Sequence, residues 1–175
     1  TSILVDSGYI DIRDLLVENN EQFLRVNGRL ATAPTDSLEV ELNNVNVKYI
    51  LDLVNFHAVE FTGEATGKAY VIGALGKEMQ ANTKLQINNF HFNRGLMGNM
   101  DIIGRWDEEK GVVLDADIRE GDLARTIVCG NISPKEKGLD LQIGAENTRL
   151  DFLNSFVGGV FENISGRVRG DIRLH

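Results

Sequence analysis

The sequence predicts a mainly β fold: a curved, mostly antiparallel sheet of about ten or more strands, joined by turns and accompanied by two short helices. Three observations predict it. Apolar and polar residues alternate with a period of two along most of the chain. Glycine is frequent and proline scarce, at 18 and 2 of 175 residues, as in strands that bend and turn often. Short turn sequences separate the alternating runs, which favours antiparallel neighbours.

Taken in order, the first well-marked strand surrounds Leu30, and the turn Ala33-Pro34-Thr35-Asp36 leads from it to a second. There Leu38, Val40 and Leu42 alternate with Glu39 and Glu41, so one face is apolar and the other charged. Val47, Ile50, Leu51 and Val54 then fall on one helical face, predicting a short helix over 47–54. Gly73-Ala74-Leu75-Gly76-Lys77 reads as a hairpin turn between a strand ending at Ile72 and one starting near Met79. Leu85 and Ile87 alternate with Lys84, Gln86 and Asn88, the register slips at Asn88-Asn89, and Phe90 and Phe92 resume it. Such a slip is the signature of a β-bulge. Asn93-Arg94-Gly95 and Glu108-Glu109-Lys110-Gly111 mark further turns, with Trp106 at a strand end. Leu114, Ala116 and Ile118 oppose Asp115, Asp117 and Arg119. After the turn from Ser133 to Gly138, Leu139, Leu141 and Ile143 alternate with Asp140 and Gln142. Leu150, Leu153, Phe156 and Val157 predict a second helix over 149–157. Val168, Ile172 and Leu174 close the chain, alternating with Arg167, Arg169, Asp171 and Arg173.

An internal repeat runs through this series, about 23–73 and 125–175 within a single 1–175 β-rich domain. Gly28-Arg29-Leu30 with Pro34 and Leu38 to Leu42 matches Gly130-Asn131-Ile132 with Pro134 and Leu139 to Ile143. Leu51-Asp52-Leu53-Val54-Asn55 matches Leu150-Asp151-Phe152-Leu153-Asn154, and Thr62-Gly63 with Gly67 matches Ser165-Gly166 with Gly170. The separations lie between 99 and 103 residues. The chain starts at Thr1, without a methionine or signal region, and reads as an excised piece of a longer protein or a processed product.

Charge and motifs narrow the function. With 18 Lys and Arg against 26 Asp and Glu, the net charge of −8 disfavours nucleic acid and anionic membrane surfaces as partners. The single cysteine leaves no disulfide framework and no Cys-rich zinc site, and His57, His91 and His175 form no ligand spacing. Cys129, in the run Ile127-Val128-Cys129, reads as a buried, inert thiol. Asp115-x-Asp117 puts two carboxylates on one strand face, as calcium sites or acid/base pairs do, yet the same pattern in Glu39-x-Glu41 is ordinary wet-face solubility. The Gly73–Lys77 segment lacks the spacing and the Ser/Thr of a phosphate loop, and no Gly-x-Ser-x-Gly elbow exists. Trp106 reads as a core or edge aromatic, and Asn131-Ile132-Ser133 and Asn163-Ile164-Ser165 as weak glycosylation matches. No catalytic residue, cofactor or metal is expected.

These motifs carry a resemblance. Val26-Asn27-Gly28-Arg29-Leu30 leading to Ser37–Leu42, Thr62-Gly63-Glu64-Ala65-Thr66-Gly67, Phe90-His91-Phe92 with Gly98–Gly104, and Ser165–Gly170 resemble the TamB-like family of bacterial envelope proteins, related to the AsmA-like group. The resemblance runs from about Phe23 to His175. It implies an open apolar trough (β-taco-like), cut from a periplasm-spanning protein anchored in the inner membrane. It further implies carriage of phospholipid acyl chains, support of outer-membrane assembly, and a partner barrel of the Omp85 class engaged by other parts of the protein. The residues expected to line the groove are Leu38, Val40, Leu42, Leu85, Ile87, Leu114, Ile118, Leu139, Leu141, Ile143, Val168, Ile172 and Leu174, with Ala116 on the same interior face. The competing expectation is a structural β-repeat scaffold with a packed interior, or a chaperone-like groove offering sheet edges to outer-membrane protein strands.

Overall fold

The computed structural model describes residues 1–53, 60–76, 79–133, 138–154 and 164–174. Their strands are β1 (Ser2–Asp6), β2 (Tyr9–Asn19), β3 (Gln22–Ala31), β4 (Ser37–Asn46), β5 (Phe61–Ile72) and β6 (Gln80–Phe92). There follow β7 (Gly95–Asp107), β8 (Gly111–Glu120), β9 (Ala124–Ser133), β10 (Gly138–Arg149) and β11 (Arg167–Leu174). All eleven form one open antiparallel sheet in which each strand pairs with its neighbours in sequence. This meander follows from the short connections: Asp36 N–H donates to the Ala33 carbonyl at 3.1 Å, and Gly76 N–H to the Gly73 carbonyl at 2.8 Å.

Five strands slip register by an inserted residue, β7 between Leu96 and Gly98. In the other four the shifts lie between Ile12 and Leu15 in β2, Leu42 and Val45 in β4, Ile87 and Phe90 in β6, and Ala145 and Thr148 in β10. In each, an Asp or Asn takes the left-handed conformation: Asp14, Asn44, Asn89 and Asn147, with φ between 50 and 58°. These are the residue types that tolerate that region, and the bulge lets the apolar side chains on either side of it share one face. The slip read at Asn88-Asn89 is one of the four. The sheet does not lie flat. Cα atoms of β7 and β10 approach within 8 Å although two strands separate them, where flat spacing places them about 14 Å apart.

The first predicted helix is present as α1 (Val47–Leu53), with residue 54 outside the described residues. Asn46 starts it, its side-chain oxygen accepting the Lys48 N–H at 2.9 Å. The second starts later than read: Arg149, its predicted first residue, ends β10 in the ladder opposite Arg167, a 3-10 turn follows at Asp151–Leu153, and Asn154 is helical. Asn154 bonds both sides of the connection: its amide donates to the Asp151 and Ile164 carbonyls, and its oxygen accepts the Ile164 N–H at 2.6 Å. Residues 155–157 lie outside the described residues.

The two halves of the repeat share geometry. Gly67 lies opposite Leu42 and Gly170 opposite Ala145; Ala65 lies opposite Val45 and Val168 opposite Thr148. Each correspondence between β4–β5 and β10–β11 spans 103 residues, and on this register Leu38 corresponds to Leu141 and not to Leu139. The two-residue difference preserves the face and hides the displacement from a reading of alternation.

Candidate functional site

The sheet's registers assemble continuous rows on one face. Val17, Leu24, Leu42, Gly67, Leu85, Ile102, Ala116, Val128, Ile143 and Ile172 lie successively opposite one another from β2 to β11. A neighbouring row runs Val40, Ala69, Thr83, Gly104, Leu114, Gly130, Leu141 and Leu174. A third joins Val45, Ala65, Ile87, Met100, Ile118, Thr126 and Ala145. The residues singled out in the sequence occupy these rows or, for Leu38, Leu139 and Val168, positions of the same face by register.

Their surroundings differ along the sheet. Leu42, Ile87, Ala116 and Ile118 are buried in one cluster with Val47, Ala65, Phe90 and Met100, and Val40 and Leu85 pack against it. Leu114, Leu141, Ile143 and Val168 are half-buried. Ile172 and Leu174, on the same face by register, are 50% and 43% exposed, β11 being the outermost strand among the described residues. No large side chain among the described residues falls below 2% exposure. Thr126 and Thr148 put two hydroxyls into this apolar face, satisfied by one another at 2.6 Å.

One end of the face is covered. α1 packs on β4 and β5, and the 3-10 turn on β7. Between them Phe61 stacks on Phe90 and Phe92 with ring centroids 5.8 and 5.4 Å apart, and Phe152 meets Phe92 at 5.5 Å. Gly95 lets Phe152 sit there, since a Cβ would lie 2.6 Å from the Phe152 nitrogen.

The opposite face is a lattice of ion pairs. Lys68 reaches Glu39 at 2.7 Å and Glu41 at 3.6 Å, and Arg25 reaches Glu41 at 3.2 Å. The Lys68 ammonium holds the Glu39 carboxyl below its ordinary pKa. Arg125 and then Arg119, hydrogen-bonded to Asp117, bring its pKa down to about 2. Asp117 also separates two like charges, because Arg119 and Arg125 are directly opposite in the ladder. Glu120 does the same for the opposed Arg149 and Arg167, at 3.3 and 3.0 Å. Arg173 pairs with Asp140 at 3.1 Å.

The remaining candidates lie on this charged face or in turns. Asp115-x-Asp117 is part of the lattice: Asp115 is exposed and Asp117 committed to arginine. Among the described residues no group of three His, Cys, Asp or Glu side chains could hold a metal ion. Cys129 is half-buried and lies opposite Asp115 and Gln142, on the charged face, which corrects its reading as buried. The Ile127-Val128-Cys129 run misled because β9 is apolar on both faces. Two open depressions flank Ile127 here, one toward Ile103 and one toward Gly144. The Gly73–Gly76 segment is a turn, and Lys77, His57, Asn163 and His175 lie outside the described residues. His91 Nδ1 contacts the Asn89 carbonyl, and Asn131 donates to the Lys110 carbonyl. Trp106 is half-buried opposite Val112.

Sequence reasoning missed the contributions of Leu24, Met100, Ile102 and Val128. Ile103 and Ile127 on the other face break the alternation in β7 and β9, so only cross-strand register reveals them. No helix among the described residues is long and apolar enough to cross a membrane. No protein family, curated protein or solved structure matches the chain.

Proposed function

We propose that the apolar face lines part of an open trough that takes phospholipid acyl chains, and that the chain performs no bond chemistry. The observation that carries this reading is the row from Val17 to Ile172, apolar or glycine at every position across ten successive strands. A one-sided sheet must cover that face with helices, a second sheet, itself or a ligand. α1 and the 3-10 turn pack at one end of it, and half-buried Leu114, Leu141 and Ile143 lie away from the Phe61–Phe90–Phe92 stack. The approach of β10 to β7 favours a sheet that curls over this face, and the lack of any fully buried large side chain among the described residues favours an interior that is loosely filled.

The energetics suit carriage. Moving an acyl methylene out of water onto this face is worth about 0.8 kcal/mol, while exchange with a bilayer interior is near neutral, so lipid is both accepted and released. The resemblance to TamB-like proteins supports the same reading, with the chain as a segment of a proposed periplasmic bridge between inner and outer membranes and an Omp85-class barrel as the proposed partner of the whole protein.

The test is lipid extraction. The chain is mixed with phosphatidylethanolamine/phosphatidylglycerol vesicles carrying a fluorescent-acyl lipid, separated from them, and assayed for bound probe. The expected result is saturable uptake that Leu114→Asp with Leu141→Asp abolishes and Asp115→Asn with Gln142→Asn leaves intact, both variants retaining the β circular-dichroism spectrum. A dry apolar face tolerates no unpaired charge. Absent uptake, or uptake equal in the two folded variants, removes the conduit and leaves a scaffold.

A further inference from the structure

The glycine of the β6–β7 hairpin stands one place beyond where the turn would use it. Phe92 pairs with Gly95, so Asn93 and Arg94 are the two loop residues, and both take positive φ, 46° and 69°. A two-residue loop of this kind favours glycine at its second position, because L side chains resist that conformation. Here arginine holds the strained position, and Gly95 follows it outside the left-handed region. Turn geometry therefore gives Gly95 no role, whereas contact does. A Cβ there would lie 2.6, 2.8 and 2.9 Å from the nitrogen, Cα and Cβ of Phe152. The Phe152 ring meets Phe92, which stacks in turn on Phe61.

Both sides of this contact are held. The Asn93 N–H donates to the Glu60 carbonyl at 2.8 Å, the Glu60 N–H donates to the Asn93 side-chain oxygen at 3.0 Å, and Arg94 reaches Glu60 at 3.6 Å. Phe152 sits in the 3-10 turn that Asn154 ties to Ile164. The contact joins the end of β10 to the β6–β7 hairpin, past β8 and β9, the two strands between β7 and β10 in the sheet. Hydrogen bonds fix the spacing of neighbouring strands and not the approach of strands three apart. Burial follows the contact. On β8–β10 the apolar-face residues toward Phe152, which are Ile118, Thr126, Ala145 and Thr148, are 5–9% exposed, while Leu114 and Leu141 toward the other end are half-buried. We infer that Phe152 seated against Gly95 is a latch that holds the sheet curled over its apolar face, and that its release opens β8–β10 as a unit. The latch stands on this geometry alone; its use as the point of entry for acyl chains rests on the function proposed above.

The experiment reads thiol accessibility in a Cys129→Ser background. Single cysteines replace Ala116 on β8 or Ala145 on β10, both buried, and for contrast Ala65, which is buried in one cluster with Val47 of α1. The rate of maleimide labelling is then measured with and without the latch. Phe152→Ala and Gly95→Ala, on opposite sides of the contact, are each expected to speed labelling at 116 and 145 together by about tenfold, with 65 unchanged. Combined in one chain they should do no more than the stronger of the two alone, because both undo the same contact. Acceleration at 145 only would mean loss of a local cover, and equal acceleration at 65 would mean general unfolding. Either of these results, additive effects, or unchanged rates overturns the proposal. Lipid uptake is read separately: the unlatched variants should take up the fluorescent-acyl probe faster than the parent chain. Absence of uptake in all of them would remove the conduit, while the thiol rates still decide the latch.

Discussion

β4–α1–β5 and β10–turn–β11 are the same device in two settings. Both carry an Asn-centred bulge, at Asn44 and Asn147, and both pair a glycine strand to the bulged one at a constant separation of 103 residues. In the first, β6 closes over β5, so Ala65 is fully buried and Leu42 nearly so. In the second no described residue closes over β11, and Ile172 is half exposed. The backbone geometry is therefore a property of the local sequence, whereas burial is a property of the neighbour. Burial divides along that line: the first unit is packed into the core, and the second is exposed at the edge of the sheet.

The largest effect expected from this contrast is on core truncation. Ile87→Ala should lower unfolding free energy by about 2–4 kcal/mol, because Ile87 is buried between Ala65 and Met100. Ile172→Ala, five strands away on the edge, should cost less than about 1 kcal/mol. Denaturant titration at constant slope checks both; equal losses would break the comparison. Next come the glycines. Both Gly67→Ala and Gly170→Ala incur backbone strain of about 1–3 kcal/mol, but Gly67→Ala adds the collision with the Lys84 carbonyl and should melt at the lower temperature.

A smaller difference separates the connections. Asn46→Ala removes the α1 cap and should cost about 1 kcal/mol. Asn154→Ala frees the Asp151 and Ile164 carbonyls and the Ile164 N–H together, and should cost about 1–2 kcal/mol, with faster amide exchange at Ile164. The smallest effect is on acid stability. The Asp117 pKa is below its unfolded value, so its contribution is fully present above about pH 4 and fades as the pH falls toward about 2. Since its arginine partners are largely exposed, Asp117→Asn should cost no more than about 1 kcal/mol at neutral pH, and the gap to the parent chain should close over that window.

The legible parts of this fold were those whose two faces differ. Leu38-x-Val40-x-Leu42 and Leu114-x-Ala116-x-Ile118 display their apolar sides directly, and the slip at Asn88-Asn89 marks its own bulge. β9 hides its register because Ile127 and Cys129 point opposite to Thr126 and Val128. β1 hides it because Ile3, Leu4 and Val5 are all exposed on an edge. The start of the helix read over 149–157 became a strand end and a 3-10 turn because spacing of three apolar residues fits either, and the Arg149–Glu120–Arg167 bridge extends β10 to Arg149. The site was legible as a face and not as a neighbourhood: alternation gives direction, while which strand lies alongside, and at what register, is a tertiary fact.

The central claim, that one face of this sheet meets acyl chains, is tested most directly by site-specific photocrosslinking. Benzoylphenylalanine placed singly at Leu114, Leu141 or Ile143, and for contrast at Asp115, Asp140 or Gln142, samples both faces at matched heights on the same strands. After irradiation in the presence of phospholipid vesicles, intact-mass spectrometry reads lipid adducts. The account predicts adducts at the three apolar-face positions and none at the three charged-face ones; equal labelling of the two faces, or none on the apolar one, would contradict it.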